Sequence, residues 1–171
     1  MDMREVVSGG MSDLEKLAAK IPGYRGYKEK EVRREADKLL RDHMYRVLTE
    51  QRRRIEDIQA SLSLGQIEEV EKIGRARRRL QTLADTVHTA AYGYAGLFDA
   101  AKVKEEQLDA LYDFDNNLLA ESDSIVEAVN SLQAAADQGE GVSSATRDLT
   151  ETVTRLQDTY NRRRDVITGM A

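Results

Sequence analysis

Proline occurs once in the chain, at position 22, and on either side of it apolar side chains keep a spacing of three and four residues for most of the sequence. A chain almost free of the residue that most strongly breaks helices, and regular in the period that buries one helix face, is constrained to long helices. One third of its residues are charged and aromatic residues make up only 5%. That composition favours helix over sheet.

The apolar stripes give an order of elements. Residues 1–11 end in Ser8-Gly9-Gly10, have little to bury and are expected to form a flexible tail, with 12–171 as a single helical-bundle domain. Ser12-Asp13-Leu14-Glu15 fits a capping box opening a short helix over about 12–20, which Pro22 and Gly23 stop. Val32, Ala36, Leu40, Met44, Leu48, Ile55 and Ile58 predict a helix over 28–62. Ser63 and Gln66 look like the cap of the next, over 66–98, with Ile67, Val70, Ile73, Leu80, Leu83 and Val87 on its apolar face. Two such helices joined by so short a turn are antiparallel neighbours.

Leu108, Leu111, Leu118, Ile125, Val129 and Leu132 predict a helix over 105–138. Gln138-Gly139-Glu140-Gly141 is a turn, and Leu149, Val153, Leu156, Tyr160 and Ile167 carry a last helix over 143–168. Between 99 and 104 the sequence has neither glycine nor proline, so two folds stay open there. A break gives an all-α, antiparallel up-down bundle of four long helices with a short N-terminal helix. Continuous helix gives a rod and an extended coiled-coil dimer. The break is the expectation, because 171 residues can then cover their own apolar faces.

Charge is unevenly divided. Residues 1–80 hold 19 basic and 15 acidic side chains, whereas residues 81–171 hold 7 and 16, for a net charge of −5 overall. The first half is therefore expected to lie against the second. No cysteine is present, which removes disulfides, thiol catalysis and cysteine-based zinc sites. The first residues lack the basic and apolar regions of a secretory leader, and a cytoplasmic location is expected.

In the up-down arrangement the turns near 63–65 and 139–141 share one pole, and those near 23–27 and 99–104 share the other. Tyr24, Tyr27, Tyr92, Tyr94 and Phe98 gather at the second pole, beside Arg25 and two glycines. Tyrosine with glycine and arginine is the composition of contact surfaces, so Tyr24, Arg25, Tyr27, Tyr92, Tyr94 and Phe98 are the candidate partner-binding residues. The competing reading is that these rings close the end of a core.

Two arginine triplets, Arg52-Arg53-Arg54 and Arg77-Arg78-Arg79, flank the 63–65 turn and would stand at similar heights on antiparallel helices. Consecutive residues point about 100° apart and many glutamates lie nearby, so a solvated face is expected rather than a nucleic-acid site, with an anionic membrane surface as the minority reading. The Arg162-Arg163-Arg164 run suits the negative end of the last helix's dipole. Asp109, Asp113, Asp115, Glu121 and Asp123 look like the outer face of an acidic helix.

Only His43 and His88 could join carboxylates at a metal, and Asp85 to His88 is a single Glu-x-x-His-like spacing with no counterpart, so no metal and no cofactor is expected. No histidine is tied by spacing to a nucleophile. The sequence thus reads as a non-enzymatic helical interaction module with a protein partner, itself a candidate homo-oligomer. The other readings are a peripheral membrane-associated or polymer-forming coiled-coil protein and a metal-binding four-helix bundle. For the first of these, a basic leading hairpin followed by an acidic segment resembles the charge order of ESCRT-III and phage-shock helical proteins. That resemblance lies in charge order alone and assigns no residue.

Overall fold

The computed structural model describes residues 12–29, 32–90 and 105–168. These form an all-helical bundle of α1 (Asp13–Lys20), α2 (Arg33–Ser61), α3 (Ile67–Thr89), α4 (Glu105–Gln138), α5 (Val142–Asn161) and α6 (Arg163–Thr168), with a 3-10 turn at Leu64–Gln66. No strand occurs among the described residues. None of their helices is long and apolar enough to cross a membrane.

The local signals act where the sequence places them. The Ser12 hydroxyl accepts from the Glu15 N–H at 3.2 Å, and the Glu15 carboxylate accepts from the Ser12 N–H at 2.7 Å, so two amides at the start of α1 are satisfied. Gln66 does the second half of this before α3, its carboxamide oxygen accepting from the Ser63 N–H at 3.2 Å. Gly139 and Gly141 turn the chain between α4 and α5 with φ of 71° and 76°, a region glycine enters without a Cβ penalty.

Two boundaries differ from expectation. The helix expected from residue 28 begins at Arg33, because Tyr27 uses its backbone groups elsewhere: its N–H donates to the Tyr112 hydroxyl at 2.6 Å and its carbonyl accepts from Arg33 Nε. The single helix expected over 143–168 stops at Asn161 and restarts at Arg163. At the break the Arg162 N–H reaches the Thr159 carbonyl at 3.1 Å, a tightened last turn. Residues 91–98, given to the second long helix by the sequence, lie outside the described residues, as do the tail at 1–11 and the break at 99–104.

α2 packs on α3 and α4, α5 packs on α3 and α4, and α1 and α6 both lie on α4. The bonds between helices set the register. Arg41 donates to the Val87 carbonyl and Gln59 to the Val70 carbonyl, so α3 descends as α2 climbs. Arg54 donates to Asn130 at 2.8 Å. In one straight helix Val70 and Asn130 would stand about 90 Å apart at 1.5 Å per residue, yet both meet the same short stretch of α2. α3 and α4 are therefore not two parts of one straight rod.

The core runs the length of the bundle. Leu40, Met44, Leu48, Ile55 and Ile58 of α2 meet Ile73, Leu80, Leu83 and Val87 of α3, and Leu118, Ile125, Val129 and Leu132 of α4 meet Leu149, Val153 and Leu156 of α5, all buried. Each such side chain contributes about 1.5–3 kcal/mol by leaving water. Ile67, assigned to the apolar face by its spacing, is instead 65% exposed beside Leu64 at 89%.

Candidate functional site

The most unusual chemistry in the molecule is charge inside the core. Arg163, the first residue of α6, is wholly buried, and so is Asp115 of α4. The guanidinium grips Asp115 with two bonds, Nε to Oδ1 at 2.8 Å and Nη2 to Oδ2 at 3.0 Å. Its Nη1 donates to Asp37 of α2, and Nη2 also donates to the Tyr27 hydroxyl at 2.8 Å. Tyr27 in turn donates that hydroxyl to Asp115 Oδ2 at 2.6 Å. Asp37 is shared with Arg41 at 2.9 Å. One guanidinium thus joins the loop before α2, α2 itself, α4 and α6.

Removing a guanidinium and two carboxylates from water is costly, and it is tolerated here because the forked donors find a bidentate acceptor and two further oxygens. Burial alone would pull Arg163 down. Asp115, Tyr27 and Asp37 together outweigh it and hold the guanidinium above its usual pKa. The Tyr27 phenol is raised well above its usual value, first by burial and then by the charge of Asp115, against which Arg163 pulls the other way. Tyr24 is raised for the same leading causes, burial and then Asp115. Its ring meets Tyr27 edge-on at 5.9 Å, and Tyr27 stacks on Tyr112 at 5.5 Å.

The residues singled out from the sequence are thereby placed. Tyr24 and Tyr27 are 5% and 0% exposed, so their rings form the floor of the 21–29 loop rather than its outer surface. Arg25 is exposed and 3.4 Å from Glu35. Tyr92, Tyr94 and Phe98 lie outside the described residues. The helix register sets Arg52 level with Arg77, both half-buried, with Arg53, Arg78 and Arg79 exposed and Arg54 bonded to Asn130. Arg163 corrects the helix-dipole reading of its triplet, and Asp115 corrects its assignment to an outer acidic face; the other members, Arg162, Arg164, Asp109, Asp113 and Asp123, are exposed and Glu121 half-buried.

The two histidines are not brought together. His43 accepts or donates at Nδ1 with Arg46 at 3.2 Å, and His88 stacks on Tyr45 at 4.4 Å. His43 is lowered by partial burial and then by Arg46. Among the described residues no three His, Asp or Glu side chains are grouped as metal ligands.

The sequence does carry a signal for this cluster. Asp37 falls between Arg33 and Leu40, Asp115 between Leu111 and Leu118, and Arg163 between Tyr160 and Ile167, each in steps of three or four. Three charged residues in phase with an apolar stripe, two of one sign and one of the other, mark a buried ionic cluster. No protein-family model matches the chain, and no curated protein or solved structure matches it.

Proposed function

We propose that the chain is a non-enzymatic interaction module, a four-helix up-down bundle whose 21–29 loop is presented rigidly to a protein partner. The observation that carries this is the way the buried cluster spends itself. Asp37, Asp115, Tyr27 and Arg163 are buried and bonded into one cluster through the Tyr27 side chain, while the Tyr112 hydroxyl and Arg33 hold the Tyr27 backbone N–H and carbonyl beside it. Charge arranged so is suited to holding a shape and not to moving a proton.

The loop it holds exposes Pro22, Arg25 and Lys28 over buried Tyr24 and Tyr27. A preordered loop loses little entropy on binding, and Arg25, whose contact with Glu35 at 3.4 Å is an exposed and readily exchanged pair, together with exposed Lys28 offers two cations to an acidic partner surface. Arg25 is then the contacting residue, and the two tyrosines act as its support.

A photo-crosslinking side chain placed at position 25 of the full chain in its native cells tests this directly. A discrete adduct at 25, absent from the same probe at Glu140 in the opposite turn and lost in the Lys28→Glu background, is the expected result. Identical adducts from both positions, or none from either, would end the proposal.

A further inference from the structure

Lys72, Arg75 and Arg79 project from α3 within about 60° of one another at 100° per residue. They form one wall of a groove of about 380 Å³ whose other wall, on α5, includes Arg147, Thr150 and Glu151. The groove continues along α5, where Arg78, Arg155 and Arg162 border it with Asp158. Seven cationic side chains thus stand against two carboxylates along its length. Arg75 also touches Glu71 at 3.2 Å, an exposed pair along one helix that exchanges readily, and Lys72 lies 3.6 Å from half-buried Glu69.

The opposite charge lies on α4. That helix contains no lysine or arginine from Glu105 to Gln138. Asp109, Asp113, Asp123 and Glu127 are all exposed and fall within about 80° of one another on its surface. Among the described residues Asp123 meets Lys20 of α1 at 3.0 Å and Asp109 shares a cleft with Lys28, and no ion pair to Asp113 or Glu127 occurs. α3 packs on α2 and α5, whereas α4 packs on α1, α2, α5 and α6, so the basic side chains of α3 and the acidic stripe of α4 stand on diagonally placed helices, with α5 between them. They cannot meet within one molecule.

We propose that the α3/α5 groove of one copy receives the acidic face of α4 of a second copy. The stripe from Asp109 to Glu127 is about 27 Å long and the α5 wall from Ser143 to Arg162 about 28 Å, so the two run to matching lengths. Different patches meet, so the contact is head-to-tail and leaves one copy of a pair with a free face and the other with a free groove. Short chains follow. A nucleic-acid strand is the less suited occupant: its phosphates form a continuous line of charge, which the net charge of −5 opposes at a distance and Glu151 and Asp158 oppose within the groove.

Sedimentation velocity of the full chain over a range of concentration and salt is the test. The wild-type protein is expected to form species above the monomer that grow with concentration and disperse as salt rises past the screening range. Arg75→Glu with Arg79→Glu, and separately Asp113→Lys with Glu127→Lys, are each expected to weaken association by about tenfold or more. All four positions are exposed, so helicity and melting remain as in the wild type, and neutral versions (Arg75→Gln with Arg79→Gln, Asp113→Asn with Glu127→Gln) replace any variant that melts early. Mixing the two charge-reversed proteins is expected to restore association, since each supplies what the other lacks. A wild type that is monomeric at low salt, a mixture no larger than its components, or a groove variant that loses a single-stranded oligonucleotide while still self-associating would each overturn the proposal. None of these outcomes bears on the 21–29 loop.

Discussion

Arg163 is the side chain whose loss the fold can least absorb. Deleting it leaves Asp115 and Asp37 buried without their shared cation, and a broken buried pair costs about 3–5 kcal/mol. Arg163→Ala is therefore expected to lower the unfolding free energy, read from urea titration, by that amount. Arg163→Lys recovers little, since a lysine cannot supply the bidentate fork. A double variant, Arg163→Met with Asp115→Leu, recovers part of it by removing the bidentate pair together while Asp37 keeps Arg41. A loss below about 1 kcal/mol in Arg163→Ala would show that the cluster does not hold the fold. The sequence displayed these charges in phase with apolar stripes, so their burial was legible one helix at a time. Which carboxylate meets which arginine was not, because partners 48 and 126 residues apart are matched only by the register between helices.

At the scale of elements, the caps and stripes in the sequence were sufficient for α1, for the 63–66 turn and for α4, since each rests on contacts within a few residues. The start of α2 was not, because the Tyr27 backbone is held by a hydroxyl on α4 and by the Arg33 side chain. The loop's two left-handed glycines separate the local term from the distant one. Gly23 and Gly26 share a φ of 81°. A Cβ at Gly23 meets nothing, whereas one at Gly26 would overlap the Tyr112 hydroxyl and Leu14. Gly23→Ala is expected to cost the backbone penalty alone, about 1–2 kcal/mol. Gly26→Ala is expected to cost clearly more and to speed hydrogen exchange at the Tyr27 amide. Equal melting temperatures for the two variants would contradict the packing described here.

For the whole molecule, a basic first half was expected to lie against an acidic second half; α1 and α2 do lie on α4, but among the described residues the ion pair that runs that way is Lys20 on Asp123. Its central bond runs the other way, from an arginine late in the chain to an aspartate early in it. The buried phenols make stability depend on pH at the alkaline end. Tyr24 and Tyr27 have folded-state values above the usual 10.0, so their contribution is whole below that pH and is lost as pH rises beyond it, when the unfolded chain releases protons that the folded chain keeps. The unfolding free energy from urea titration is expected to fall above pH 10, with a slope of about 1.4 kcal/mol per pH unit for each phenol, and Tyr27→Phe is expected to remove about half of this phenol-dependent slope. A slope unchanged by Tyr27→Phe would rule out the linkage.

Tyr27 and Arg163 stand 136 residues apart. As the chain leaves the ribosome, Asp37 and later Asp115 are made long before the cation that neutralises them. The hairpin of α2 and α3 can close early on its own leucines, whereas the loop at 21–29, tied to Tyr112 and Asp115 once α4 is made, is completed when the segment beyond α5 arrives and Arg163 reaches Tyr27. Any surface built on that loop is therefore the last to mature, and a half-synthesised chain has no means of displaying it.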